Sequence, residues 1–110
     1  MRGGQTDDVR IELRRTTLSI PSSSCQELLE QLANRESLSD VRDVRDAFLA
    51  AGTRRPVRLT DPQKLGLRNV ISFWVVEMGG SYDDLPVGIH ALRDALQDDL
   101  AVVGFPDEAA

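Results

Sequence analysis

In the stretch VRIELRRTTLSIP (residues 9–21), apolar and polar side chains alternate as in a strand, but the alternation changes parity halfway. Val9, Ile11 and Leu13 are odd-numbered, whereas Leu18 and Ile20 are even-numbered. Successive strand residues point to opposite faces, so one unbroken strand would split these residues between two sides. A hairpin with Arg14 and Arg15 at its tip resolves the conflict, pairing Leu13 with Thr16, Ile11 with Leu18 and Val9 with Ile20. All the apolar residues then share one face, and Arg10, Glu12, Thr17 and Ser19 occupy the other. A longer tip over residues 14–17 pairs Leu13 with Leu18 and Ile11 with Ile20 and keeps the same face. Arg-Arg suits a two-residue turn poorly, because the favoured types want Gly, Asn or Asp at positive φ. The longer tip, built on a type I turn, escapes that objection. One long strand with a bulge near residues 14–17 is the remaining option.

The rest of the chain reads as helices. Ser24 and Glu27 have capping-box spacing, and Cys25, Leu28, Leu29 and Leu32 follow at i, i+3, i+4, i+7. After NRES, a second helix starts near Ser37 or Ser39 and turns Val41, Val44, Phe48 and Ala51 inward, with Gly52 as its stop. PVRL reads as a short extended link. Thr60 and Gln63 make another capping box, ahead of the strongest stripe in the chain: Leu67, Val70, Ile71, Trp74, Val75 and Met78. Phe73 and Val76 widen that stripe, which marks a central helix whose surplus apolar surface favours self-association. Gly79-Gly80 ends it. Pro86 opens a last helix with Ile89, Leu92, Leu96, Leu100 and Val103 inward. A single domain over residues 1–110 is expected, with a polar leader (1–8) and a loose tail (104–110) whose Phe105 folds back on the core.

Charge divides the chain. Residues 1–58 hold ten arginines against nine acids, whereas residues 59–110 hold three bases against nine acids. A cationic footprint for nucleic acid would have to lie in the first half. Lys64 is the only lysine, and the arginine bias reads most simply as a GC-rich, bacterial genome. A single cysteine excludes an internal disulfide and suits a reducing compartment. No window is long and apolar enough to span a bilayer, so the expected setting is cytoplasmic, without membrane contact.

RTTLSIP, then an amphipathic helix, then SLSDVRDVRDAFLAAG resembles a ribbon-helix-helix repressor over residues 15–52. The resemblance implies that one strand from each of two subunits pairs into a ribbon lying in the DNA major groove. Arg15, Thr17 and Ser19 would then read base edges, while Leu18 and Ile20 face the core.

Other chemistry is thinly represented. His90, Asp94 and Asp98 share a helical face at i, i+4, i+8, but one imidazole and two carboxylates make a weak ligand set, and a solvated face explains them. Asp83 and Asp84 beside Tyr82 fit helix capping and dipole compensation better than acid–base work. Cys25 lies in a first helical turn, yet its place in the apolar stripe makes it a buried thiol. Arg54, Arg55 and Arg58 form the densest cationic cluster and could grip an acidic partner. The expectation is an α+β domain, an N-terminal hairpin or ribbon followed by four helices, that needs no cofactor or metal and does not act as an enzyme. It would be an interaction or regulatory protein that forms a homodimer or binds another protein. A ribbon-helix-helix regulator with an acidic C-terminal half for a partner is the alternative.

Overall fold

A computed structural model of the chain describes residues 8–35 and 39–104. The order is β1 (Asp8–Glu12), β2 (Thr17–Pro21), α1 (Ser22–Ala33), α2 (Ser39–Ala51), β3 (Val57–Arg58), α3 (Asp61–Glu77), a 3₁₀ turn (Tyr82–Asp84) and α4 (Ile89–Val102). The class is α+β, with a hairpin on the N-terminal side, four helices after it and a short third strand between α2 and α3. The polar leader before Asp8 and the fold-back of Phe105 lie outside the described residues.

The parity change is a hairpin inside one chain. Glu12 pairs with Thr17, Ile11 with Leu18, Arg10 with Ser19 and Val9 with Ile20, which leaves Arg14 and Arg15 at the tip. The Leu13 amide donates to the Thr16 carbonyl at 2.8 Å. No described residue other than glycine has positive φ, so the tip does not use the primed turns that normally close two-residue loops. The shared face is buried: Val9, Ile11, Leu13 and Ile20 all belong to the core.

PVRL does more than link. Val57 and Arg58 pair in parallel with Ile11 and Glu12, giving a three-stranded sheet in the order β2-β1-β3. Val57 is wholly buried, and Arg58 stays in water, where its Nε meets Glu12 Oε1 at 2.8 Å.

α3 packs against α1, α2 and α4, as its broad stripe requires. The Thr60–Gln63 capping box is formed in both directions, with hydrogen bonds of 2.9 and 3.3 Å. At its other end the Gly80 amide closes on the Val75 carbonyl with Gly79 and Gly80 both at positive φ, a conformation glycine adopts without a Cβ penalty.

Three local expectations need correction. Ser24 and Glu27 do not cap α1, because the helix begins three residues earlier than that box would set it, behind Pro21, and Ser24 is turned into the core. Pro86 does not open α4. The helix begins at Ile89 behind Gly88, which sits at φ 86°, so Asp84 belongs to the preceding 3₁₀ turn and caps nothing in α4. Val103 is exposed, since α4 has ended at Val102.

Candidate functional site

The most organised polar cluster lies where the hairpin tip meets two helix ends. The capping box places Asp61 and Lys64 in the first turn of α3, and α4 brings Asp99 alongside. Lys64 Nζ lies 2.5 Å from Asp99 Oδ2, and the two side chains are only 7% and 5% exposed. Arg14 holds Asp61 through both guanidinium nitrogens at 2.9 Å and reaches Asp99 Oδ2 and the Asp99 carbonyl at 3.3 Å. The Arg14 backbone amide donates to Asp99 Oδ1 at 3.0 Å. Asp99 thus stabilises an Arg-Arg tip that local turn preference would not choose.

Burial pushes the Asp99 carboxyl up, but hydrogen bonds from Lys64 and the Arg14 amide, with the charges of both, outweigh it and leave the pKa lowered. Asp61 is lowered mainly by its hydrogen bonds to Arg14, and Arg14 is raised in return, mainly by Asp61. Two cations and two anions meet here, each engaged by the others. Beside them an open cleft of about 630 Å³ runs between Glu12, Arg58, Thr60 and Lys64. The chemistry of the cluster is that of a clamp, since every charge in it already serves a neighbour.

Arg15, Thr17 and Ser19 are all exposed, with Thr17 and Ser19 on the outer face of the hairpin beside Arg10 and Glu12. β2 finds its strand partner in β1 of the same chain, so the ribbon of one strand per subunit is not what the parity change encodes. Arg54, Arg55 and Arg58 are exposed too. The carbonyl of Arg54 accepts from Arg10 at 3.2 Å, and Arg55 donates to the Ala50 carbonyl at 3.4 Å. The carboxylate on Arg58 is Glu12, from the first half of the chain rather than the acidic second half.

His90 Nε2 lies 3.4 Å from Asp94 on an open helix face, while Asp98 lies farther along by the hairpin tip. Tyr82 stacks on His90 with centroids 4.6 Å apart, tying the 3₁₀ turn to α4. Among the described residues no group of three His, Cys, Asp or Glu side chains could hold a metal ion. Asp83 and Asp84 are exposed. Cys25 is buried, and desolvation pushes its thiol up to about 11. No helix of the described residues is long and apolar enough to cross a membrane.

Sequence reasoning missed Lys64, Asp99 and the buried Arg68 altogether. The signal was their spacing: Lys64 and Arg68 fall three or four residues apart on the line of Leu67, Ile71 and Val75, and Asp99 follows Leu92 and Leu96. Comparison with protein-family models, curated proteins and solved structures finds no match to this chain.

Proposed function

We propose that the protein is a non-enzymatic protein–protein interaction module that self-associates. One observation carries the reading. Phe73 and Val76, one helical turn apart on the outer side of α3, are 56% and 72% exposed, although three helices pack around the rest of α3. Singly exposed apolar residues are ordinary, but an aromatic and a branched side chain adjacent on a rigid helix form a surface suited to another protein. Arg54, Arg55 and Arg58 offer a cationic surface for an acidic partner. Molar mass by light scattering behind size exclusion tests the reading. Mass should rise toward twice the monomer with concentration, and a constant monomer up to roughly 1 mM overturns it.

A second reading, DNA binding, is favoured by the joint exposure of Arg15, Thr17 and Ser19 at one end of the hairpin. It requires affinity that falls steeply with salt and is lost in Arg15→Ala and Thr17→Ala. Unchanged binding in both variants, or no binding at low salt, removes it.

A further inference from the structure

The strand order β2-β1-β3 leaves the outer edge of β2 without a neighbour among the described residues. Which backbone groups face that edge follows from the tip. The Leu13–Thr16 hydrogen bond makes 13:16 a bonded pair, so 11:18 and 9:20 are bonded pairs as well. Thr17 and Ser19 therefore aim both N–H and C=O away from β1. Pro21 has no N–H to offer. Open edges are ordinarily protected by charge, bulges or proline within the strand, and TLSIP carries no charge and has its proline only at the end. Leu18 is half-buried although its pair-mate Ile11 is wholly buried, so the core face is open on this side.

We infer that this edge is the seat of a second copy of the chain, joined β2 to β2 about a two-fold axis through Leu18. The inference shares with the reading above only that the chain self-associates, and it places the joint on the open edge of β2, not on the α3 strip. Register decides the axis. Centred on Leu18, Thr17 pairs with the partner's Ser19 and Ser19 with the partner's Thr17, forming four hydrogen bonds that use every outward group of both residues. Centred on Ser19, the outer pairs fall on Pro21, which cannot donate and whose carbonyl begins α1.

Side chains agree with that register on both faces. Outside, Thr17 and Ser19 meet across the joint as hydroxyl pairs, and no like charges lie directly opposite. Arg15 would cross the partner's Pro21 toward the partner's Asp8, an opposite charge, because Asp8 pairs with Pro21 in each hairpin. Inside, Leu18 faces the partner's Leu18 as a non-bonded pair, the arrangement in which side chains come closest. α4 runs beside β2, since Gly88 lies against Ile20 and Pro21, and Asp99 lies against the tip. The α4 flank bordering the hairpin includes the small Ala95, and an open cleft of about 420 Å³ separates it from Leu13, Arg15 and Thr16. The product is one six-stranded sheet with β3 at each end, and both α3 strips remain available to other proteins.

The test is light scattering from roughly 1 µM to 1 mM, a range in which weak joints dissociate. Ser19→Pro removes an outward N–H that the hairpin does not use, so the fold should persist by circular dichroism while the dimer constant rises roughly 30-fold or more. Because residue 18 lies opposite itself, Leu18→Lys and Leu18→Glu should each be monomeric, and an equimolar mixture should regain the dimer mass. That mixing result decides the matter even if the proline variant does not fold. A wild-type dimer with Ser19→Pro still dimeric, or a mixture that stays monomeric, overturns the β2 joint. So does loss of the dimer in Phe73→Ser instead, which would retain self-association. A wild-type chain that is monomeric throughout overturns both.

Discussion

Replacing Lys64 by Met keeps the length of the side chain and removes its charge from the interior. Both members of the Lys64–Asp99 pair are almost fully buried. Removing one partner of such a pair ordinarily costs about 3–5 kcal/mol, because a charge is left without compensation. Here Asp99 keeps the Arg14 amide at 3.0 Å and its guanidinium at 3.3 Å, so its charge is not abandoned. We therefore expect the loss at or below the lower end of that range, about 2–3 kcal/mol. For a domain of this size it should lower Tm by roughly 10–20 °C. Urea unfolding of Lys64→Met, Asp99→Asn and the double variant closes a thermodynamic cycle, with an expected coupling of about 1–3 kcal/mol. Hydrogen exchange at the Leu13 amide adds a local reading, because Asp99→Asn should loosen the tip. A Lys64→Met loss below about 0.5 kcal/mol, within the ordinary range for surface changes, or an additive cycle would refute the clamp.

Gly88→Ala combines a positive φ with a Cβ placed 3.0 Å from Ile20 Cγ2, and should cost about 2 kcal/mol in chemical denaturation; a neutral result would show that the junction before α4 yields easily. Acid should weaken the fold in a defined window. The Asp61 and Asp99 carboxyls lie below their ordinary 3.8 in the folded state, so their contribution is full above that pH. It should fall away as pH drops through 3.8 toward the folded values, where the unfolded chain binds more protons. Asp99→Asn should flatten that slope in urea titrations, and an unchanged slope would assign acid sensitivity elsewhere. The Cys25 thiol, pushed up to about 11 and buried, should react with a disulfide reagent at pH 8 only as fast as the protein opens. Prompt labelling of the native chain would contradict that.

The fold was legible where several residues shared one periodicity. Five apolar residues of opposite parity required a reversal, and α2 and α3 carried their stripes and stops openly. β3 escaped because two residues have no period, and it is sheet only through its parallel pairing with Ile11 and Glu12. The start of α4 was misjudged because Pro86 suits a helical first turn, whereas the chain first needs Gly88 to turn under Ile20. The clamp was hidden for another reason. Charges are read first as belonging to solvated faces, and only their position within the apolar stripes places Lys64 and Asp99 inside. Nothing in one-dimensional spacing says that Arg14, Asp61, Lys64 and Asp99 converge, because they come from three distant segments. The open edge of β2 was equally invisible, since it depends on which neighbour β1 accepts on its other side.

The clamp also bears on when the chain can become a folded protein. Its first member is Arg14 and its last is Asp99. During synthesis the hairpin and the first helices emerge early, but the carboxylate that accepts the Arg14 amide is made 85 residues later. Until then Lys64 lacks its closest anion, and water serves it better than the interior does. Closure of the hairpin onto α3 is thereby deferred until α4 has been made. A nascent fragment lacking the end of α4 therefore has reason to stay open rather than to settle into a partial structure.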